Sequence, residues 1–180
     1  VAIASDPIEQ ELSHDGTRER LVGLVQFLSS HWLAGANLAL IVFSTLPVLA
    51  PVLANFGADG LSLAIFQLYS FTCHQMPSRS YFILGYQMAY CERNTAIYFA
   101  MTAAGLAYVA LRNRGLRPLP IRWYLVLILP MAIDGFTQLF GLRESTWWLR
   151  GITGSLFGVA TVWLTFPRLQ ESFDELESEL

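Results

Sequence analysis

Four mostly apolar blocks, each about long enough to cross a bilayer, dominate a chain of only 180 residues. They are Ala34–Phe56, Thr95–Leu111, Ile121–Phe140 and Trp148–Phe166. A hydrocarbon core about 30 Å thick needs roughly twenty such residues per helix. Lipid offers no partner to backbone N–H and C=O groups, so each block has to close its own hydrogen bonds as a helix. Composition agrees: the chain is 54% hydrophobic and 14% charged, where soluble domains carry about 25% charged residues. The expected fold is all-α, a polytopic membrane protein of about four transmembrane helices. Residues 1–33 read as a polar lead-in and interfacial amphipathic helix, 34–168 as the transmembrane domain, and 169–180 as an acidic amphipathic tail.

Local signals refine this layout. Arg18–Trp32 is amphipathic and is expected to lie along the interface. No basic start followed by an apolar core occurs in the first twenty residues, so no secretory signal is expected there. Pro47 and Pro51 should kink the first span. Asn94 is placed to cap the second. Gly154 and Gly158 form a GxxxG pair that lets two helices approach closely. Leu61–Phe71 is apolar but too short to span, which predicts a re-entrant or interfacial segment before the second span. Leu169, Phe173, Leu176 and Leu180 recur at helical spacing on the tail, a face that could dock on a partner.

Every basic side chain other than histidine is arginine, and the arginines divide unequally. Arg112, Arg114, Arg117, Arg122, Arg18, Arg20 and Arg168 fall on one side of a four-span arrangement; Arg79, Arg93, Arg143 and Arg150 fall on the other. The positive-inside rule then puts both ends of the chain in the cytoplasm and the second group outside. Trp32, Trp123 and Tyr124 would anchor the inner interface, and Tyr81, Tyr90, Trp147 and Trp148 the outer one. A net charge of −3 gives no footing for nucleic acid. The bilayer and other membrane subunits are the expected partners.

The chemistry-bearing residues gather on the outer side. Both cysteines lie between Tyr69 and Tyr98, together with His74, Gln75, Arg79, Glu92 and Arg93. Asp134 and Gln138, four residues apart, share a face of the third span. Arg143 and Glu144 follow on the next loop. A charge inside a span costs about 2.5–3.5 kcal/mol on insertion scales, so Asp134 is expected to pair with Arg79, Arg93 or Arg143. Zinc takes four ligands from thiolate, imidazole and carboxylate. Cys73, His74 and Cys91 offer three, with Asp134 or Glu92 as a fourth. A Cys73–Cys91 disulfide on an oxidising face, or two reduced buried thiols, fit the same residues. The arginines could hold an anionic head group or reach ordinary lipid phosphates.

Four ordered motifs resemble one family. "CHQMPSRS" from Cys73, "GYQMAYCERNTAIY" from Gly85, "DGFTQ" from Asp134 and "GLRESTWWLRGITGSLFG" from Gly141 are similar to the bacterial and archaeal membrane proteins catalogued as domain of unknown function 2085. The resemblance implies a small helical protein of the plasma membrane and carries no activity with it. The family pattern usually reads Cys-x-Arg-Cys where this chain has Cys91-Glu92-Arg93-Asn94, one thiol fewer for any implied metal site. Three functions follow as expectations. The first is a non-enzymatic accessory subunit of a larger membrane complex, such as an electron-transport or photosynthetic one. The second is a membrane enzyme or lipid-binding protein with an outward polar pocket. The third is a metal or redox protein built on Cys73, His74 and Cys91.

Overall fold

The computed structural model describes the backbone of residues 7–179 and the side chains of residues 19–179. The first six residues of the expected lead-in, the side chain of Arg18 and Leu180 of the expected tail lie outside the described residues. Five helices carry the fold: α1 (Pro7–Asn55), α2 (Asp59–Tyr69), α3 (Glu92–Leu111), α4 (Ile121–Leu139) and α5 (Trp147–Ser178). Between α2 and α3 stands a two-stranded antiparallel hairpin, β1 (Ser80–Ile83) and β2 (Tyr86–Cys91). The all-α expectation is therefore corrected by a small sheet. Its turn is Leu84-Gly85, with φ of +54° and +83°. Positive φ at both central residues is the geometry that matches strand twist in a two-residue hairpin.

Among the described residues three helices are long and apolar enough to cross a membrane: α1 over its stretch Glu19–Asn55, α3 with its short 3-10 extension to Arg114, and α5. The fourth, α4, falls short by composition because Arg122, Asp134 and Gln138 dilute its apolar run. α1 runs unbroken from the amphipathic segment into the first apolar block, and α5 runs unbroken into the acidic tail. These two extensions meet each other. Trp32 stacks on Phe173 with ring centroids 5.9 Å apart, and Ser29 donates to Glu177.

Prolines inside the helices each cost a hydrogen bond to the carbonyl four residues back. Two of those carbonyls find other donors. The Phe43 carbonyl, freed by Pro47, accepts from the Tyr69 hydroxyl at 2.9 Å, which ties α2 to α1. The Trp163 carbonyl, freed by Pro167, accepts the Leu119 N–H at 3.2 Å, which seats the α3–α4 loop on α5. Helical backbone in lipid tolerates proline on these terms.

α3 and α5 run parallel and touch backbone to backbone. A Cβ on Gly158 would stand 2.5 Å from the Ile97 carbonyl oxygen, and one on Gly154 would stand 2.9 Å from that of Arg93. The GxxxG pair thus serves packing within the chain. α1 runs antiparallel to α3, joined by Thr102, which bonds the Leu40 carbonyl and Ser44, each at 3.2 Å. Large apolar side chains such as Leu125, Leu129 and Ile133 face outward, while Asp134 is buried. That is the arrangement expected where lipid replaces water.

Two smaller expectations are corrected. Tyr90 is fully buried rather than an interface anchor. It packs with Tyr69, Tyr98 and Phe43 in an aromatic cluster under the hairpin. Asn94 does not cap α3, because β2 feeds directly into the helix with Cys91 at the cap position. Asn94 instead donates to the Thr72 carbonyl at 2.9 Å.

Candidate functional site

Asp134 sits one turn before the end of α4, with 1% of its side chain exposed. α4 ends at Leu139, and the chain turns at Gly141, whose φ of +67° suits glycine. The Gly141 N–H bonds the Gln138 carbonyl and the Leu142 N–H bonds that of Thr137, a Schellman closure. The chain then doubles back over its own helix. This return brings Arg143 Nη2 to 2.6 Å from Asp134 Oδ1 and Ser145 Oγ to 2.7 Å from Oδ2. Arg93, from the first turn of α3, closes on Oδ2 from the other side. Three donors from two further segments thus hold one carboxylate, which is what a buried charge needs.

A second pair lies alongside. Arg150, 7% exposed on α5, donates to Glu92 at 2.7 Å and to the Ser145 carbonyl at 2.5 Å. Turned with its oxygen toward the two guanidiniums, the orientation that satisfies both, the Gln138 amide accepts from Arg150 at 3.3 Å and from Arg79 at 3.2 Å. Snorkelling to lipid phosphate is therefore corrected for Arg93, Arg143 and Arg150: each is committed to a carboxylate of its own chain. Among the described residues Arg79 has no carboxylate at ion-pair distance. Glu144 is exposed on the loop and makes no part of the cluster.

The thiols come together across the hairpin. Gln75, at φ +50°, donates to the carbonyls of Phe66 and Ala89, while its own carbonyl accepts from the Gln87 amide at 2.7 Å. These bonds fix the Cys73–Gln75 loop against β2. The Cys91 N–H donates to Cys73 Sγ at 3.1 Å. Both cysteines are free thiols. The Cys91 thiol donates to Cys73, which pulls the Cys73 pKa down to about 6 against the opposing effect of burial; the amides of Gln75 and Cys91 add to the lowering. The same hydrogen bond, with burial, pushes Cys91 up. Of the two, Cys73 is the more acidic sulfur, the one that accepts the Cys91 N–H.

Both groups open on one cavity of about 300 Å³. Cys73, His74, Cys91, Arg79, Arg93, Gln138 and Arg150 line it, and among the described residues no carboxylate does. His74 is exposed at its edge. Among the described residues no three His, Cys, Asp or Glu side chains come together as a metal-ligand set. The carboxylates that might complete zinc coordination, Asp134 and Glu92, face arginines.

Sequence reasoning gave no role to Ser145, whose hydroxyl and carbonyl join the two ion pairs. Its only signal was its place in "GLREST" beside Arg143. Among the described residues the buried guanidinium Nε atoms of Arg93 and Arg150 have no hydrogen-bond partner, a feature no sequence pattern reveals.

Comparison with known proteins adds a family and two relatives. Residues 73–164 match the family described as "Predicted membrane protein (DUF2085)". The match begins at Cys73 and takes in every member of the Asp134 cluster. An uncharacterized protein of Methanocaldococcus jannaschii is 38% identical over 136 residues, covering 72% of this chain and 87% of its own. An uncharacterized protein of Methanothermobacter thermautotrophicus is 35% identical over 97 residues, covering 54% of this chain and 86% of its own. No solved structure matches.

Proposed function

The chain belongs to the DUF2085 family of predicted membrane proteins, and on that premise we propose that it is a four-span membrane protein whose outward cavity binds an anion. The observation that carries this reading is a cavity lined by Arg79, Arg93 and Arg150 with, among the described residues, no carboxylate on its wall. Arg93 and Arg150 are partly neutralised behind the wall by Asp134 and Glu92. Arg79 supplies the net charge, and the thiol pair and Gln138 supply further polar atoms. A guanidinium fits carboxylate or phosphate oxygens better than an ammonium does.

The fourth span is α4. Nineteen residues rise about 28 Å, close to the thickness of a bilayer core. Leu125, Val126, Leu129, Ile133 and Phe136 give it an apolar outer face. Arg122 stands at its start and Asp134 turns inward, so neither meets lipid at mid-depth. Four spans put both ends of the chain on the side of Arg112, Arg114 and Arg117, which the positive-inside rule assigns to the cytoplasm.

The test is thermal stability of the purified protein in mild detergent, with and without inorganic phosphate and with phosphatidylglycerol against phosphatidylcholine. Stabilisation by one of the anions, lost in Arg79→Gln, is the expected result. Equal melting under all conditions overturns the reading. Stabilisation by phosphate alone identifies a free anion, and by phosphatidylglycerol alone a lipid head group.

One observation favours the accessory-subunit reading. The α1 extension exposes Leu21, Leu24, Phe27 and Leu28 beyond the bundle, an apolar face suited to a neighbouring subunit. Partners that co-migrate after gentle solubilisation, and are lost in Phe27→Glu, would support it.

A further inference from the structure

The thiol pair is not explained by anion binding. Cys73 and Cys91 line the cavity wall on one side and pack against the cluster of Tyr69 and Tyr90 on the other, so only the cavity reaches their sulfurs. One sulfur accepts the backbone N–H of the other residue at 3.1 Å, a bond that steadies negative charge on Cys73. Gln75 holds the loop in a left-handed turn that keeps the two residues together. Among the described residues no third ligand gathers to make them a metal site. Paired thiols opening on a solvent-sized cavity have the layout of a reactive dithiol.

We propose that Cys73 and Cys91 are a thiol–disulfide exchange pair acting on a disulfide carried by an anionic molecule in the arginine-lined cavity. The charge of that substrate rests on the anion reading above; the exchange does not. The chemistry balances without a further reagent. The Cys73 thiolate attacks one sulfur of the substrate disulfide, that bond breaks, and a mixed disulfide forms as the first substrate thiolate leaves. Cys91 then gives up its proton to water and attacks Cys73 Sγ. The second substrate thiolate leaves, and the Cys73–Cys91 bond remains. The substrate has gained two electrons and leaves as two thiolates, which take protons from water; the protein pair has lost two electrons and the one proton that Cys91 gave to water. On an oxidising face the bridge is a stable product. Exchange proceeds through such a mixed disulfide in general, and its rate follows the thiolate fraction and the access of the attacking sulfur.

The full chain, reduced and held in detergent, is treated with dithiobis(nitrobenzoate), a dianionic disulfide, and separately with neutral dithiodipyridine. Release of two leaving thiols per chain and an intramolecular Cys73–Cys91 bridge in the mass spectrum are expected from both probes. Cys91→Ser should release one and stop at a mixed disulfide on Cys73. Arg79→Gln should lower the ratio of the anionic to the neutral rate about tenfold, the scale of one lost charge-assisted contact. A wild-type chain that ends with an adduct on each sulfur, or with no adduct and no bridge, overturns the exchange pair. A bridge that forms with an unchanged rate ratio in Arg79→Gln leaves the exchange standing and overturns the anionic substrate.

Discussion

Asp134 is the residue on which one end of the bundle turns. Its carboxylate is held by Arg93, Arg143 and Ser145. The partners are unequal: the Arg93 side chain is 21% exposed and that of Arg143 43%. Removing the acid strands a partly buried guanidinium, a loss on the order of 3–5 kcal/mol. Asp134→Leu should therefore lower the melting temperature strongly, while Glu144→Ala, on the exposed loop, should change stability by less than about 0.5 kcal/mol. Arg143→Gln falls between them, at about 1 kcal/mol or less, because solvent screens a half-exposed pair. Denaturation in detergent, followed by tryptophan fluorescence, ranks the three. A second residue-scale prediction concerns Cys73. Its pKa lies at about 6 because the Cys91 thiol donates to it. Thiolate fraction rises with pH, so its alkylation should reach half its maximal rate near pH 6 rather than about 8.5. Cys91→Ala removes the thiol donor and should move that midpoint upward. A midpoint that stays where it was in the variant would show that the thiol hydrogen bond is not the cause.

Among the elements, the α3–α5 contact is the closest and the most sensitive to volume. Gly158 faces the Ile97 carbonyl and the Ala100 methyl, with 2.5 Å and 3.1 Å left for a Cβ. Even alanine forces the helices apart, at a cost of about 1–3 kcal/mol for overpacking. Gly151, one position outside the seam, has nothing within 4 Å, and alanine there should be neutral or stabilising by up to about 1 kcal/mol through helix propensity. Thermal unfolding of Gly158→Ala beside Gly151→Ala checks the contrast; similar losses in both would mean the seam is loose. The helices and this seam were legible in the sequence because apolar runs and glycine spacing act locally. The hairpin was not. Its turn is Leu84-Gly85, without the Asn-Gly or Asp-Gly signal, and Leu84 adopts φ +54° only because the strands on either side demand it. The start of α3 was misread for a related reason: Asn94 has a capping side chain, but the strand already delivers Cys91 to that place. Asp134 and its arginines were legible because a lone acid in an apolar run needs a partner. Ser145 became visible only when the Gly141 turn folded it back.

At the scale of the whole molecule, one short segment couples the site to the membrane-spanning frame. Cys91, Glu92 and Arg93 are consecutive at the start of α3, and successive helical positions point about 100° apart. They therefore serve three neighbours at once: Cys73 on the loop, Arg150 on α5 and Asp134 on α4. All the groups of the candidate site lie at that end of the bundle. At the opposite end Arg112, Arg114 and Arg117 are exposed on the loop between α3 and α4. There the extensions of α1 and α5 run on together, joined by Trp32 and Phe173. Forty-nine residues of α1 measure about 74 Å, more than twice the thickness of a bilayer core, so most of this helix stands outside the membrane. On the four-span reading proposed above, the positive-inside rule would put the extended end in the cytoplasm, because arginines in short loops resist translocation. The consequence is testable on intact cells. In a chain whose native cysteines are replaced by serine, a cysteine at Glu144 should react with a membrane-impermeant maleimide, and one at Asn113 should react only after the membrane is opened. The reverse pattern would turn the protein over and put the thiol pair in the reducing cytosol, where a Cys73–Cys91 bridge would not persist. Labelling of both sites from outside would remove α4 from the membrane, since α4 is the element that separates these two loops.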